Sequence, residues 1–98
     1  MNIISPSKFG FTVYSKSGCI NCDNIKKLLH DNNIPYIVIN CDAYLIENKE
    51  LFLISINTLT NSICKTFPIV FNNNIFIGGF KEAIDEIYSI CFDMEDNF

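Results

Sequence analysis

Apolar residues fall in short blocks divided by polar, asparagine-rich stretches, and the spacing inside each block names its element. Phe11-Thr12-Val13-Tyr14 is aromatic and β-branched, which suits a strand. Ser15 to Gly18 is a short polar loop. Asn24 to His30 has helical spacing, with Ile25, Leu28 and Leu29 on one face. Asp31-Asn32-Asn33 stops that helix, since Asn accepts the left-handed turn at a helix end, and Pro35 bars its continuation. Tyr36-Ile37-Val38-Ile39 is a continuous apolar run, the pattern of a strand buried on both faces.

Ile46 to Leu59 is a second predicted helix, carrying Leu51, Phe52, Ser55, Ile56 and Leu59 near helical spacing, although Phe52-Leu53-Ile54 taken alone has strand character. Pro68 leads into the strand Ile69-Val70-Phe71. Asn72-Asn73-Asn74 is a turn, because Asn tolerates positive φ, and Ile75-Phe76-Ile77 returns as the partner of a hairpin. Gly78-Gly79 breaks the pattern. Ala83 to Cys91 is a closing helix with Ile84, Ile87, Tyr88 and Cys91 at helical spacing, followed by an acidic tail, Asp93 to Phe98, expected to be loose at its end. The first strand, helix and second strand form a right-handed β-α-β unit with parallel strands. The full order, β-α-β-α-β-β-α, is the thioredoxin-like topology: an α/β fold with a four-stranded mixed sheet and helices on both faces.

At 98 residues the chain is expected to be one domain, 1–98, without repeats or linkers. About half of it is apolar, enough for one core, with nine Phe and four Tyr as bulky filling. A net charge of -4 and the lack of any Lys/Arg cluster weigh against nucleic acid or an anionic membrane as partner. The first ten residues lack a basic start followed by an apolar run, so they do not read as a secretory signal, and no stretch approaches the ~18 apolar residues of a membrane span. Five cysteines, an odd number, point away from a disulfide scaffold and toward a reducing compartment, with a cytoplasmic location expected.

The chemistry concentrates in Cys19-Ile20-Asn21-Cys22, between a strand and a helix. A thiolate is the nucleophile, and a free Cys with pKa ~8.5 is only slightly ionised at neutral pH. A helix N-terminus offers partial positive charge and unpaired N–H groups, and Lys16 lies three residues upstream. Both favour an anionic Cys19. Cys22, a turn further in, is better shielded. Half a zinc site is the competing reading, but zinc takes four ligands, and Cys41, Cys64, Cys91 and His30 supply no second close pair. Cys41, Cys64 and Cys91 read as small core residues. Cys64 is close in sequence to Pro68, so a regulatory disulfide or glutathionylation stays open there. His30 reads as a residue at a helix end.

Three separated motifs resemble the glutaredoxin family over about Phe11 to Ile90. Val13-Tyr14-Ser15-Lys16-Ser17-Gly18-Cys19-Ile20-Asn21-Cys22 is similar to V-Y-S-K-x-x-C-x-x-C. Lys65-Thr66-Phe67-Pro68 is similar to (R/K)-T-V-P, and Ile77-Gly78-Gly79 to I-G-G. The resemblance implies a glutathione-dependent thiol–disulfide oxidoreductase with Cys19 as nucleophile and Cys22 as resolving thiol. It implies a cis Pro68, with the Phe67 backbone receiving the cysteine of glutathione. It also implies Lys16 and Lys65 at the glycine carboxylate, with Thr66 beside them. Gly78, Gly79, Phe80 and Lys81 would lie at the γ-glutamyl end, where the N–H groups opening the last helix receive a carboxylate. Implied partners are glutathione and glutathionylated or disulfide-bearing proteins, ribonucleotide reductase among them, with the chain a monomer and no metal required. Two departures stand out. Ile20 and Asn21 replace the family's common Pro and Tyr, and Lys81 stands where an acid is often found, leaving Glu82 to pair with the ligand's ammonium group. Two alternatives remain: a [2Fe–2S] carrier using the first active-site Cys and glutathione, and a disulfide reductase served by thioredoxin reductase.

Overall fold

The computed structural model of the chain describes residues 1–95, with side chains as far as Phe92. Its elements are β1 (Phe11–Ser15), α1 (Ile20–Asp31), β2 (Tyr36–Asn40), α2 (Asp42–Thr60), β3 (Ile69–Asn72), β4 (Ile75–Gly78) and α3 (Phe80–Glu95). The sheet order is β2-β1-β3-β4, with β1 parallel to β2 and antiparallel to β3, and β3 antiparallel to β4. Val13 therefore faces Val38 on one side and Val70 on the other. The expected topology is the one formed.

Strand alternation divides the apolar residues between two faces. Phe11, Val13 and Val70 pack with Ile25 and Leu29 of α1 and with Ala83 and Ile87 of α3. Tyr14, Ile69 and Phe71 point the other way and pack with Phe52 and Ile56 of α2. All of β1 is buried, including Thr12, whose hydroxyl oxygen accepts the Ser7 N–H at 2.9 Å. Residues before β1, assigned no element from sequence, fasten to the α2 side. The Tyr14 hydroxyl donates to the Ile4 carbonyl at 2.6 Å, the Ile4 N–H donates to the Tyr44 hydroxyl oxygen at 3.0 Å, and Met1 and Ile3 pack against the core cluster that contains Phe52.

Four expectations need correction. The second strand is not buried on both faces: Ile37 and Val38 are 46% and 41% exposed, and only Ile39 is buried. β2 is an edge strand, and the helices over the central strands do not reach across it there. The second helix begins at Asp42, not Ile46, and is bent at Asn48, where φ -165° and ψ 98° leave the helical region. The Asn48 side-chain oxygen accepts the Leu51 N–H at 3.1 Å, so Asn48 caps a fresh helical segment after the bend. Its buried line is Phe52, Ile56 and Thr60, while Leu51 and Leu59 are exposed. The last helix starts at Phe80, three residues before Ala83, because Glu82 reaches back and accepts the Gly79 N–H at 3.0 Å. Asp93, Met94 and Glu95 of the expected acidic tail continue α3; its remainder, 96–98, lies outside the described residues.

Asparagine supplies most of the left-handed turns. Asn33, Asn61, Asn73 and Asn74 all have positive φ, closing α1 and α2 and making the β3–β4 turn.

Candidate active site

Ser15 ends β1 by accepting the Cys41 N–H at 2.8 Å, which holds the strand end against the start of α2. The chain then turns through Lys16-Ser17-Gly18, with Gly18 at φ +73°, a conformation that disfavours any side chain. Asp42 fixes this loop from across the site. Its carboxylate accepts the Ser17 N–H at 2.9 Å and also the Ser17 hydroxyl. The Ser17 hydroxyl, then the Ser17 N–H, hold the Asp42 carboxyl below the usual carboxylate range, with a smaller part from the charge of Lys16.

Cys19 is the N-cap of α1 in extended conformation, and its sulfur accepts the Cys22 N–H at 3.2 Å. The two sulfurs are joined as a disulfide, with the Cα atoms 5.3 Å apart. Cys19 is half-buried and Cys22 is fully buried, so an incoming sulfur meets Cys19 first. Ile20 and Asn21 between them are exposed, Ile20 to 73%. Once the disulfide is reduced, the N–H now directed at Cys19 favours its thiolate.

The Phe67–Pro68 peptide bond is cis. Pro68 is buried, whereas Phe67 is half-buried at the end of an aromatic stack: Phe67 on Phe52 at 5.8 Å between ring centroids, Phe52 on Tyr44 at 5.9 Å. Lys16 Nζ lies 5.8 Å from the Phe67 centroid, linking the loop before Cys19 to the segment before Pro68. Among the described residues, neither the N–H nor the C=O of Phe67 bonds to another backbone group. Both are available to an extended ligand.

Two adjoining depressions flank this segment. One, about 380 Å³, is lined by Lys65, Thr66, Pro68, Gly78, Gly79 and Glu82. The other, about 820 Å³, is lined by Lys16, Lys65, Thr66 and Phe67 together with Asn21 and residues of α2. Seven of the residues expected from sequence are thus brought together on these two linings. Gly78, at φ +141°, has no room for a side chain: a Cβ there would lie 2.7 Å from the side chain of Glu82. Phe80 and Lys81 line neither depression. Phe80 packs into the core between the sheet and α1 and α3, and Lys81 is exposed. The N–H of Gly79 is taken by Glu82, so an anion at the start of α3 would meet the N–H groups beyond it.

Sequence reasoning missed Asp42, Lys49 and Asn57. Asn57 accepts the Cys64 N–H at 2.9 Å and so shapes the approach to Pro68. Burial pushes the Cys41 thiol up to about 12, keeping it protonated at neutral pH, in keeping with a core residue. Cys64 is half-buried, its sulfur 3.5 Å from the Thr60 hydroxyl. Among the described residues no three His, Cys, Asp or Glu side chains converge on a point where they would hold a metal, and no helix is long and apolar enough to cross a membrane.

The Glutaredoxin family profile matches residues 11–77. Among characterised proteins, "Glutaredoxin-2, mitochondrial" of Rattus norvegicus is 37% identical over 67 residues, covering 68% of this chain and 40% of that protein. The chain therefore spans well under half the length of that relative. Among solved structures, glutaredoxin 1 from Francisella tularensis, complexed with cacodylate, superimposes with a TM-score of 0.70 at 25% identity, covering 83% of this chain and 94% of that one. A buckwheat glutaredoxin–glutathione complex gives a TM-score of 0.65 at 24% identity over 81% of this chain and 68% of that one, a likeness of fold.

Proposed function

The chain belongs to the glutaredoxin family of thiol–disulfide oxidoreductases, and we propose that it reduces glutathione mixed disulfides and protein disulfides at the expense of glutathione. One observation carries the reading: an accessible Cys19 at a helix N-terminus, disulfide-bonded to a buried Cys22. In the reduced protein the Cys19 thiolate attacks the glutathione sulfur of a mixed disulfide. The protein thiolate leaves and takes a proton from solvent, and Cys19 is glutathionylated. The thiolate of a second glutathione attacks that sulfur, forming oxidised glutathione and restoring the Cys19 thiolate. With a protein disulfide, Cys19 forms the mixed disulfide and the Cys22 thiol displaces the client thiol.

Glutathione is the proposed co-substrate, as in the complex named for the buckwheat protein. Its cysteine backbone pairs with Phe67, its glycine carboxylate meets Lys16 and Lys65, and its γ-glutamyl end lies toward Gly78 and Gly79. Glu82, on the lining of the smaller depression, takes the place of the missing acid at Lys81 and faces the ligand's ammonium group. The chain acts as a monomer in a reducing compartment, the cytoplasm, on glutathionylated or disulfide-bearing proteins, with ribonucleotide reductase a candidate client.

The test is steady-state reduction of a small glutathione mixed disulfide with glutathione and glutathione reductase, beside the same assay with glutathione and its reductase replaced by thioredoxin reductase alone. Turnover in the first arm and none in the second is expected. Turnover only with thioredoxin reductase would reject glutathione as the reductant.

A further inference from the structure

We propose that the larger depression, between Phe67 and α2, docks an acidic segment interleaved with apolar residues on the protein whose disulfide is reduced. This inference rests on the oxidoreductase reading and names the class of client that reading leaves open. The depression measures about 820 Å³, within the usual range of ligand sites, and reaches Asn21, which lies between the two active-site cysteines in the first turn of α1. A peptide lying in it passes beside the Cys19–Cys22 disulfide.

Charge argues for the occupant. The chain carries 11 acidic and 7 basic residues, yet three of the basic ones, Lys16, Lys49 and Lys65, line this depression, and no Asp or Glu lines it among the described residues. None of the three lysines is in an ion pair there; the ion pairs found are at Lys26 and Lys27. Asp42 interacts with Lys16, but its carboxylate is occupied by Ser17. Leu45, Leu53 and Phe67 on the lining are half-buried and apolar, whereas the three lysines are exposed. A cationic rim over an apolar floor fits alternating acidic and apolar side chains.

Lys49 makes the case beyond glutathione. The glycine carboxylate of glutathione is one charge, assigned above to Lys16 and Lys65. Lys49 directly follows the bend at Asn48, so it opens the second helical segment of α2. The helix dipole disfavours a cation in a first turn, so helix stability does not account for Lys49. An anion beside it meets both its ammonium group and the positive end of that segment.

The test is single-turnover reduction by the pre-reduced protein with no glutathione present, so glutathione binding does not enter. Two peptide disulfides serve as probes, the cysteine flanked in one by alternating Asp, Glu and Leu and in the other by alternating Lys and Leu. The Cys19 thiolate bonds to a peptide sulfur, the first peptide thiolate leaves, and Cys22 displaces the second; the protein dithiol supplies both electrons. At low ionic strength the acidic peptide should react about tenfold faster, with the ratio falling as salt is added. Lys49→Glu should cut the acidic-to-basic ratio at least fivefold, and Lys49→Arg should keep it. Lys49 is exposed, so both variants are expected to fold, and Lys49→Gln should give an intermediate ratio. Equal rates for the two peptides, or a ratio insensitive to Lys49→Glu, would overturn docking while leaving the oxidoreductase intact. No reaction with either peptide or with a small glutathione mixed disulfide would overturn the oxidoreductase reading, and this inference with it.

Discussion

Cys19 and Cys22 are one helical turn apart, and burial separates their work: a sulfur that opens a helix at the surface can be attacked, and one inside it can only resolve. Alkylation of the reduced protein at mildly acidic pH should therefore label Cys19 first and Cys41 last, read by mass spectrometry; preferential labelling of Cys22 would reverse the roles. Cys22→Ser should keep deglutathionylation, since a second glutathione can resolve Cys19, and lose most activity on protein disulfides. Cys19→Ser should lose both. Cys41 also gives a signed pH dependence. Its folded pKa, about 12, lies above that of an unfolded thiol. Its contribution to stability is thus full below ~8.5 and is lost as pH rises toward 12, because the unfolded chain gives up that proton first. Denaturant melts across that window should show a shallower alkaline decline in Cys41→Ala than in the parent. At this scale the sequence was partly legible. The C-x-x-C pair announces itself by spacing. Asp42 does not, since its partner Ser17 is 25 positions away and only the fold brings them together.

Helix α2 shows why local pattern gives an element and misplaces its ends. Its periodic apolar line, Phe52 and Ile56, was readable. The opening stretch, Asp42 to Glu47, sets Ala43, Tyr44, Leu45 and Ile46 side by side without helical spacing, so its helicity depends on packing against Cys41 and the aromatic stack. The bend at Asn48 was invisible because Asn fits a turn, a cap or an exposed helical site equally well. α3 was shortened in reading for a related reason: the Gly79–Glu82 cap does not look like the usual Ser/Thr form. Phe52 joins stability to the site, since it is fully buried and carries Phe67 on its face. Phe52→Ala should cost about 3–5 kcal/mol by chemical denaturation, a large share of the ~5–15 kcal/mol typical of a domain. Asn48→Ala, which removes only a cap, should cost about 1 kcal/mol. A larger loss for Asn48→Ala than for Phe52→Ala would mean that the bend, not the stack, holds α2 in place.

Over the whole molecule, the order of elements and the two-sided core were legible because strand alternation and helical spacing agree with one another. The exposure of β2 was not, since a continuous apolar run cannot say whether its strand will be central or at the edge. The charge distribution was legible only in part: the motifs singled out Lys16 and Lys65, whereas Lys49 joins them only in the fold. A chain of net charge -4 should repel glutathione, which carries two carboxylates and one ammonium group, yet Lys16 and Lys65 stand on the linings beside Phe67. Coulomb energy falls with distance, and ~0.1 M salt screens exposed charges beyond about 10 Å, so nearby lysines should outweigh the distant net charge. Adding salt should then raise the KM for a glutathione mixed disulfide, because it weakens the nearby attraction more than it relieves the diffuse repulsion. Lys65→Ala should raise KM about fivefold at low salt and flatten its salt dependence, consistent with about 1 kcal/mol for an exposed contact. Glu82→Gln should also raise KM by losing the ammonium partner, while the amide oxygen can still accept the Gly79 N–H and keep α3 capped. Steady-state kinetics over a range of ionic strength distinguishes the two pictures. A KM that falls with added salt would show that the net charge dominates and that Lys16 and Lys65 do not hold the ligand.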